Sequence, residues 1–185
     1  MTISHLLSSF MVTLCCSSVF AAAPTVDAPL PLLDISERGE LTMSGDDFAF
    51  VPWGSNANLG KVQVFQYFGA TMSDSKIFES FTDLLQKSFE PGAIQVTTVL
   101  NMDAAMWGTT GVVISELKKN KRAHPDATMV IDDKGTGLTA WDLGETGSGL
   151  FITDARGIVK YITRVAMSED EQAAAVALIR ANSGS

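Results

Sequence analysis

The residues best suited to covalent chemistry in this chain are Cys15 and Cys16, its only cysteines among 185 residues. A thiolate can serve as nucleophile, redox partner or metal ligand. Their setting argues against all three. No charged residue occurs before Pro24, and Leu6, Leu7, Phe10, Met11, Val12, Leu14, Val19 and Phe20 form an apolar centre that ends in Ala21-Ala22-Ala23. An apolar centre followed by small residues is the layout of a secretory signal peptide, although His5 stands where a Lys or Arg is usual. A membrane span would be less diluted by Ser and Thr and would carry flanking cations. Residues 1–21 are therefore expected to be removed by a cut after Ala21, or else after Ala23, and both thiols leave with them. Leu14 before Cys15 is not the small residue that a lipidation site needs. The chain is therefore expected to be exported, with no stable membrane insertion after cleavage.

The remaining chemistry-bearing residues are few. His124 is the only other histidine besides His5, and any Ser-His-Asp relay must use it. It lies between Lys121-Arg122-Ala123 and Pro125-Asp126, a solvated loop after a helix. One histidine without cysteine leaves zinc only carboxylates, so no metal and no cofactor is expected. Asp46-Asp47 and Asp132-Asp133 flank turns, and Glu169-Asp170-Glu171 occupies the first turn of a helix, where negative charge opposes the dipole. Gly108-x-x-Gly111 lacks a following Lys, and the glycines from Gly144 to Gly149 lead into a strand, so neither is a phosphate loop. With 13 Lys and Arg against 21 Asp and Glu, the net charge is −8, which excludes nucleic acid as a partner; 46% hydrophobic residues exclude a disordered chain.

Those residues must be positioned by elements that the pattern reveals. Pro24, Pro29 and Pro31 mark an extended linker over 22–31, followed by one domain over 32–185. Leu32–Leu41 reads as a hairpin turning at Glu37-Arg38-Gly39, and Asp47–Val51 as a further strand closed by Pro52. Lys61–Phe68 is a continuous β-prone run suited to a central strand. Ser75–Phe89 has helical spacing, with Ile77, Phe78, Phe81, Leu84, Leu85 and Phe89 on one face, and Pro91-Gly92 stops it. Ala93–Leu100 is a second central strand, Val112–Lys121 a short helix and Thr128–Ile131 a strand before the Asp132–Gly135 turn. Leu150–Thr153 and Ile158–Val165 form a hairpin, and Ser168 with Glu171 makes a capping box for the last helix. The fold class is α/β, in three layers around a mixed sheet with an N-terminal hairpin.

This order resembles the thioredoxin fold, in its peroxiredoxin and TlpA-like branch, through Leu59-Gly60-Lys61-Val62-x-Val64 and Gly149-Leu150-Phe151-Ile152-Thr153-Asp154-x-x-Gly157. Within it the chain is similar to the YtfJ family of periplasmic proteins. The motifs are Asp34-Ile35-x-x-Arg38-Gly39-Glu40-Leu41, Thr97-Thr98-x-x-Asn101-x-Asp103-Ala104, Ser115-x-Leu117-x-x-Asn120-Lys121, Asp132-x-x-Gly135 and Ala140-Trp141-x-Leu143. The resemblance implies that a redox thiol would stand between the first central strand and the next helix, where this chain reads Phe68-Gly69-Ala70-Thr71-Met72-Ser73-Asp74-Ser75. It also implies a proline before the penultimate strand, where this chain reads Thr146-Gly147-Ser148-Gly149. The expected activity is binding or accessory, without redox cysteines, and the expected partner is another periplasmic protein. The candidate binding residues are Thr71, Asn101, Asp103, Trp107 and Ser148. An acid/base enzyme of hydrolase type near Asp103 and Asp132 is the alternative. Mass spectrometry of the protein isolated from its host is expected to show a chain beginning at Ala22 or Pro24; a chain that retains Cys15 would refute the removal of the thiols.

Overall fold

The computed structural model describes residues 23–105 and 108–183; the expected signal segment and Trp107 lie outside them. Strands β1 (Asp34–Ser44), β2 (Asp47–Gly54), β3 (Gln63–Gly69), β4 (Gln95–Asn101), β5 (Thr128–Asp132), β6 (Gly149–Thr153) and β7 (Val159–Thr163) form one sheet in the order β2-β1-β5-β4-β3-β6-β7. Helices α1 (Glu79–Ser88), α2 (Thr110–Ala123), α3 (Thr136–Ala140) and α4 (Glu169–Asn182) complete the chain. β3, β4 and β5 run parallel, and the outer pairings are antiparallel. The expected mixed α/β architecture is thus the observed one. β3 is buried at every residue, as its unbroken β-prone run requires of a strand covered on both faces.

One face of the sheet packs Val62, Val64, Leu150 and Ile152 against Phe81 and Leu85 of α1 and Val176 and Ile179 of α4. The opposite face is aromatic. There Trp141 lies edge-on to Phe65, Tyr67 and Phe151, at centroid distances of 5.8, 6.1 and 5.1 Å. Truncating one such buried ring typically costs about 3–5 kcal/mol. α4 starts as its sequence dictates: the Ser168 hydroxyl accepts the Glu171 N–H at 3.4 Å, and the Glu171 carboxylate accepts the Ser168 N–H at 2.8 Å.

Several local expectations are corrected. The turn expected at Glu37-Arg38-Gly39 is instead a bulge inside β1, where the register with β2 slips between Ile35 and Glu40. Gly39 has φ +71° there, and a side chain would collide with the Val51 carbonyl, so the glycine that suggested a turn serves the bend. The hairpin turns later, at Gly45-Asp46. β2 continues through Pro52, which is tolerated because β2 is an edge strand. The helix expected from Ser75 is interrupted: a 3₁₀ turn at Asp74–Lys76 precedes α1, and Phe78 between them, buried against Phe68, has φ −114°. The segment before β1, expected as an extended linker, instead turns at Val26-Asp27, where Asp27 has φ +64° and Ala28 N–H donates to Thr25 O at 3.2 Å, and it is docked: Asp27 N–H donates to Val159 O at 2.8 Å and Leu30 N–H to Gly157 O at 3.0 Å. Trp141 Nε1 then donates to Pro31 O at 2.9 Å.

α3 is held flat against the aromatic face. A Cβ on Gly137 would lie 2.8 Å from Tyr67 Cδ2 and closer still to Cε2. Gly137→Ala is expected to destabilise the protein by about 1–3 kcal/mol, the range for overpacking a core. A lower urea midpoint with an unchanged slope is the signature, and an unchanged midpoint would show that the ring yields freely.

Candidate functional site

Because β3, β4 and β5 are parallel, their C-terminal ends share one edge of the sheet, the position where open α/β sheets form ligand sites. Gly69 pairs with Asn101, and Asn101 with Asp132. β6 runs the other way, with Gly149 opposite Tyr67, so its start brings Ser148 to the same edge. The fold therefore brings the candidates Thr71, Asn101, Asp103 and Ser148 to one edge, while Trp107 lies outside the described residues.

Most of these side chains are engaged locally. Thr71 Oγ1 accepts the Asp74 N–H at 3.1 Å and sits 3.0 Å from Ser73 Oγ, and Ser75 Oγ donates to Met72 O at 3.1 Å. These hydroxyls shape the loop and the 3₁₀ turn, and none of them caps α1. Asn101 is buried, and its Oδ1 accepts the Asp103 N–H at 3.0 Å. Ser148 is buried and donates to Arg164 O at 3.0 Å. The 3₁₀ turn Met102–Ala104 folds over the end of β3, where a Cβ on Gly69 would meet the Asp74 carboxylate and the Ala104 methyl. Asp103 projects from this turn, exposed.

The electrostatic centre beneath the edge is Asp132, 1% exposed. Its Oδ1 accepts the N–H groups of Thr136 at 2.9 Å and Lys134 at 3.3 Å. Its Oδ2 accepts Gly137 N–H at 2.8 Å and Tyr67 O–H at 2.9 Å. The carboxylate thus satisfies the amides at the start of α3 and the phenol of β3 together, which is anchoring work. Burial above all, then the charge of Asp132, holds the Tyr67 phenol far above its ordinary value. His124 does not join this group. α2 begins at this edge and runs back across the sheet, so His124, which follows the helix, lies at the opposite end. A relay of His124 with Asp103 or Asp132 is therefore not assembled. Among the described residues, no group of three or more His, Cys, Asp or Glu is arranged to hold a metal ion.

Residues without an earlier functional reading complete the edge. Met72 in the loop after β3, Val112 in the first turn of α2 and Val165 after β7 are 84%, 71% and 62% exposed. Their signal in the sequence is weak: Met72 stands alone between Thr71 and Ser73, while Val112 and Val165 adjoin the apolar residues Val113 and Ala166 and read as core.

A sequence model for bacterial proteins of unknown function, YtfJ_HI0045, matches residues 25–182. An uncharacterized protein of Haemophilus influenzae is 32% identical over 164 residues, covering 88% of this chain and 89% of its own. The uncharacterized protein YtfJ of Escherichia coli is 30% identical over 143 residues, covering 77% and 78%. The thioredoxin domain of a thiol-disulfide oxidoreductase from Bacteroides vulgatus superposes with a TM-score of 0.56 at 14% identity, covering 84% of this chain and 98% of that domain. The fold is thioredoxin-like.

The Tyr67 environment sets a pH dependence. A phenol whose folded pKa is raised keeps its proton where the unfolded chain has lost it, so its contribution to stability is complete below about pH 10 and declines as pH rises beyond that. Tyr67→Phe is expected to lower stability at neutral pH by about 1–3 kcal/mol, since Asp132 loses a buried donor. The variant should also flatten the alkaline decline, leaving a smaller part due to Tyr161, whose phenol is raised by burial as well. Equal alkaline slopes in the two proteins would refute the assignment.

Proposed function

Since the chain belongs to the YtfJ_HI0045 family of bacterial proteins of unknown function, we propose that it is an exported periplasmic protein that uses the thioredoxin-like edge for binding, as an accessory module, without thiol redox chemistry. The observation that carries this reading is the junction after β3. A thioredoxin-type reaction needs a thiolate there, stabilised by the following helix terminus. This chain has Thr71-Met72-Ser73, with the Thr71 and Ser73 hydroxyls paired to one another, and no cysteine beyond Cys16. A hydroxyl has neither the acidity nor the redox chemistry of a thiol.

What the edge offers instead is contact area. Met72 and Val165 on loops and Val112 in the first turn of α2 present apolar side chains, a surface suited to an apolar stretch of another exported protein. Methionine is unbranched and adapts to varied partners. Export is supported by the apolar, uncharged stretch before Pro24. No helix among the described residues is long and apolar enough to cross a membrane.

The test is direct. The processed protein should titrate no free thiol and should leave insulin reduction by dithiothreitol at the background rate. Turnover of insulin above that background would sink the reading.

A further inference from the structure

We infer that a second ligand site, for a small uncharged and mostly apolar molecule bearing one hydroxyl or carbonyl group, lies on the aromatic face of the sheet at the end remote from the Asn101 edge. On that face the rings of Phe65 and Phe151, paired across β3 and β6, give way one step further on to the cross-strand pair Gln63 and Thr153. The segment Pro29–Leu32 and the loop through Leu59 roof this polar pair and leave a cleft of about 180 Å³. That is the room of roughly six water molecules.

The lining has the composition of a binding cleft, apolar walls with a few convergent polar groups. Leu30, Leu32, Leu59 and Phe65 supply the walls. Leu32 and Leu59 are 62% and 55% exposed, so the mouth carries apolar surface that no part of the described chain covers. Thr153 is fully buried in the lining, and its Oγ1 has no hydrogen-bond partner among the described residues. A buried hydroxyl without a partner requires an explanation; this one is closed to water, and a ligand oxygen that displaces the side chains covering it supplies the missing partner. The charge state follows from the rim: the one cation in the lining, Arg156, is paired to Asp154 at 3.0 Å, so no unbalanced charge calls for an ion. Gln63 and Thr153 can each donate and accept, which fits a hydroxyl or a carbonyl alike.

The experiment uses three probes of similar size, phenol, toluene and benzoate, titrated into ¹⁵N-labelled full chain. Phenol is expected to bind saturably, shifting amides at residues 59, 63–65 and 153–157 and the indole of Trp53, whose ring lies 6.4 Å from that of Phe65. Toluene should bind about fivefold more weakly, the worth of one hydrogen bond, and benzoate more weakly than phenol because its charge would leave water with no unpaired cation to meet it. Thr153→Val should bring phenol to the toluene level, and Thr153→Ser should restore it. Leu59→Asp, a change at an exposed lip that the fold tolerates, should abolish the shifts. Equal affinity for phenol and toluene, tighter binding of benzoate, shifts centred on Met72 and Asp103, or no saturable shift at all would each overturn the proposal.

Discussion

A carboxylate removed from water must be met on all sides by donors, and at Asp132 this requirement organises the aromatic half of the molecule. Its partners are the phenol of Tyr67, 65 residues earlier, and the first amides of a helix only five residues long. A helix of that length does not persist on its own. With its N-terminal amides bonded to Asp132, α3 has a fixed start, and Trp141 directly after it is fixed against Phe65, Tyr67 and Phe151. Trp141 in turn binds the Pro31 carbonyl and holds the segment leading into β1. One satisfied charge thus sets the place of a helix, a ring and a strap in succession.

The same requirement, that polar groups find partners, governs the side chains at the sheet edge. In a catalytic site the polar groups are held by the scaffold yet left open toward the substrate. Here Thr71, Asn101 and Ser148 are turned to neighbouring backbone, and Gly69 lies beneath the turn Met102–Ala104. Asp103 alone of the described candidates remains exposed. The loop after β3 carries hydroxyls bonded within the loop itself and turns the Met72 side chain outward.

Elements whose signals are local were legible from residue types alone. The unbroken run of β3, the Ser168–Glu171 capping box and the β6–β7 hairpin around Asp154–Gly157 each rest on neighbours in sequence. In that last turn, burial works to raise the Asp154 pKa, but the hydrogen bonds from Ile158, Arg156 and the Arg156 guanidinium prevail and lower it. Gly39 misled because positive φ serves a bulge as well as a turn, and only the pairing of Ile35 with Trp53 separates the two. α3 is too short to show a period. The convergence of Asn101, Thr71 and Ser148 depends on strand order, which no local pattern in the sequence displays. The Tyr67–Asp132 bond and the docking of the proline-rich segment were not legible either, because their partners are distant in the chain and no spacing rule connects them.

The docked segment bears on how the chain can fold as it is made. Residues 27–30 emerge early, yet their backbone partners are residues 157–159, in the last hairpin. Contacts this far apart are slow to form, and loop closure must precede any gain from them. Until β7 has emerged, the start of the domain has nothing to bind, and the face that it covers stays open. A polypeptide delivered N-terminus first, whether from a ribosome or through a narrow pore, is therefore kept from closing prematurely by its own topology. The strap acts as a latch that can engage only once residues 157–159 have been delivered.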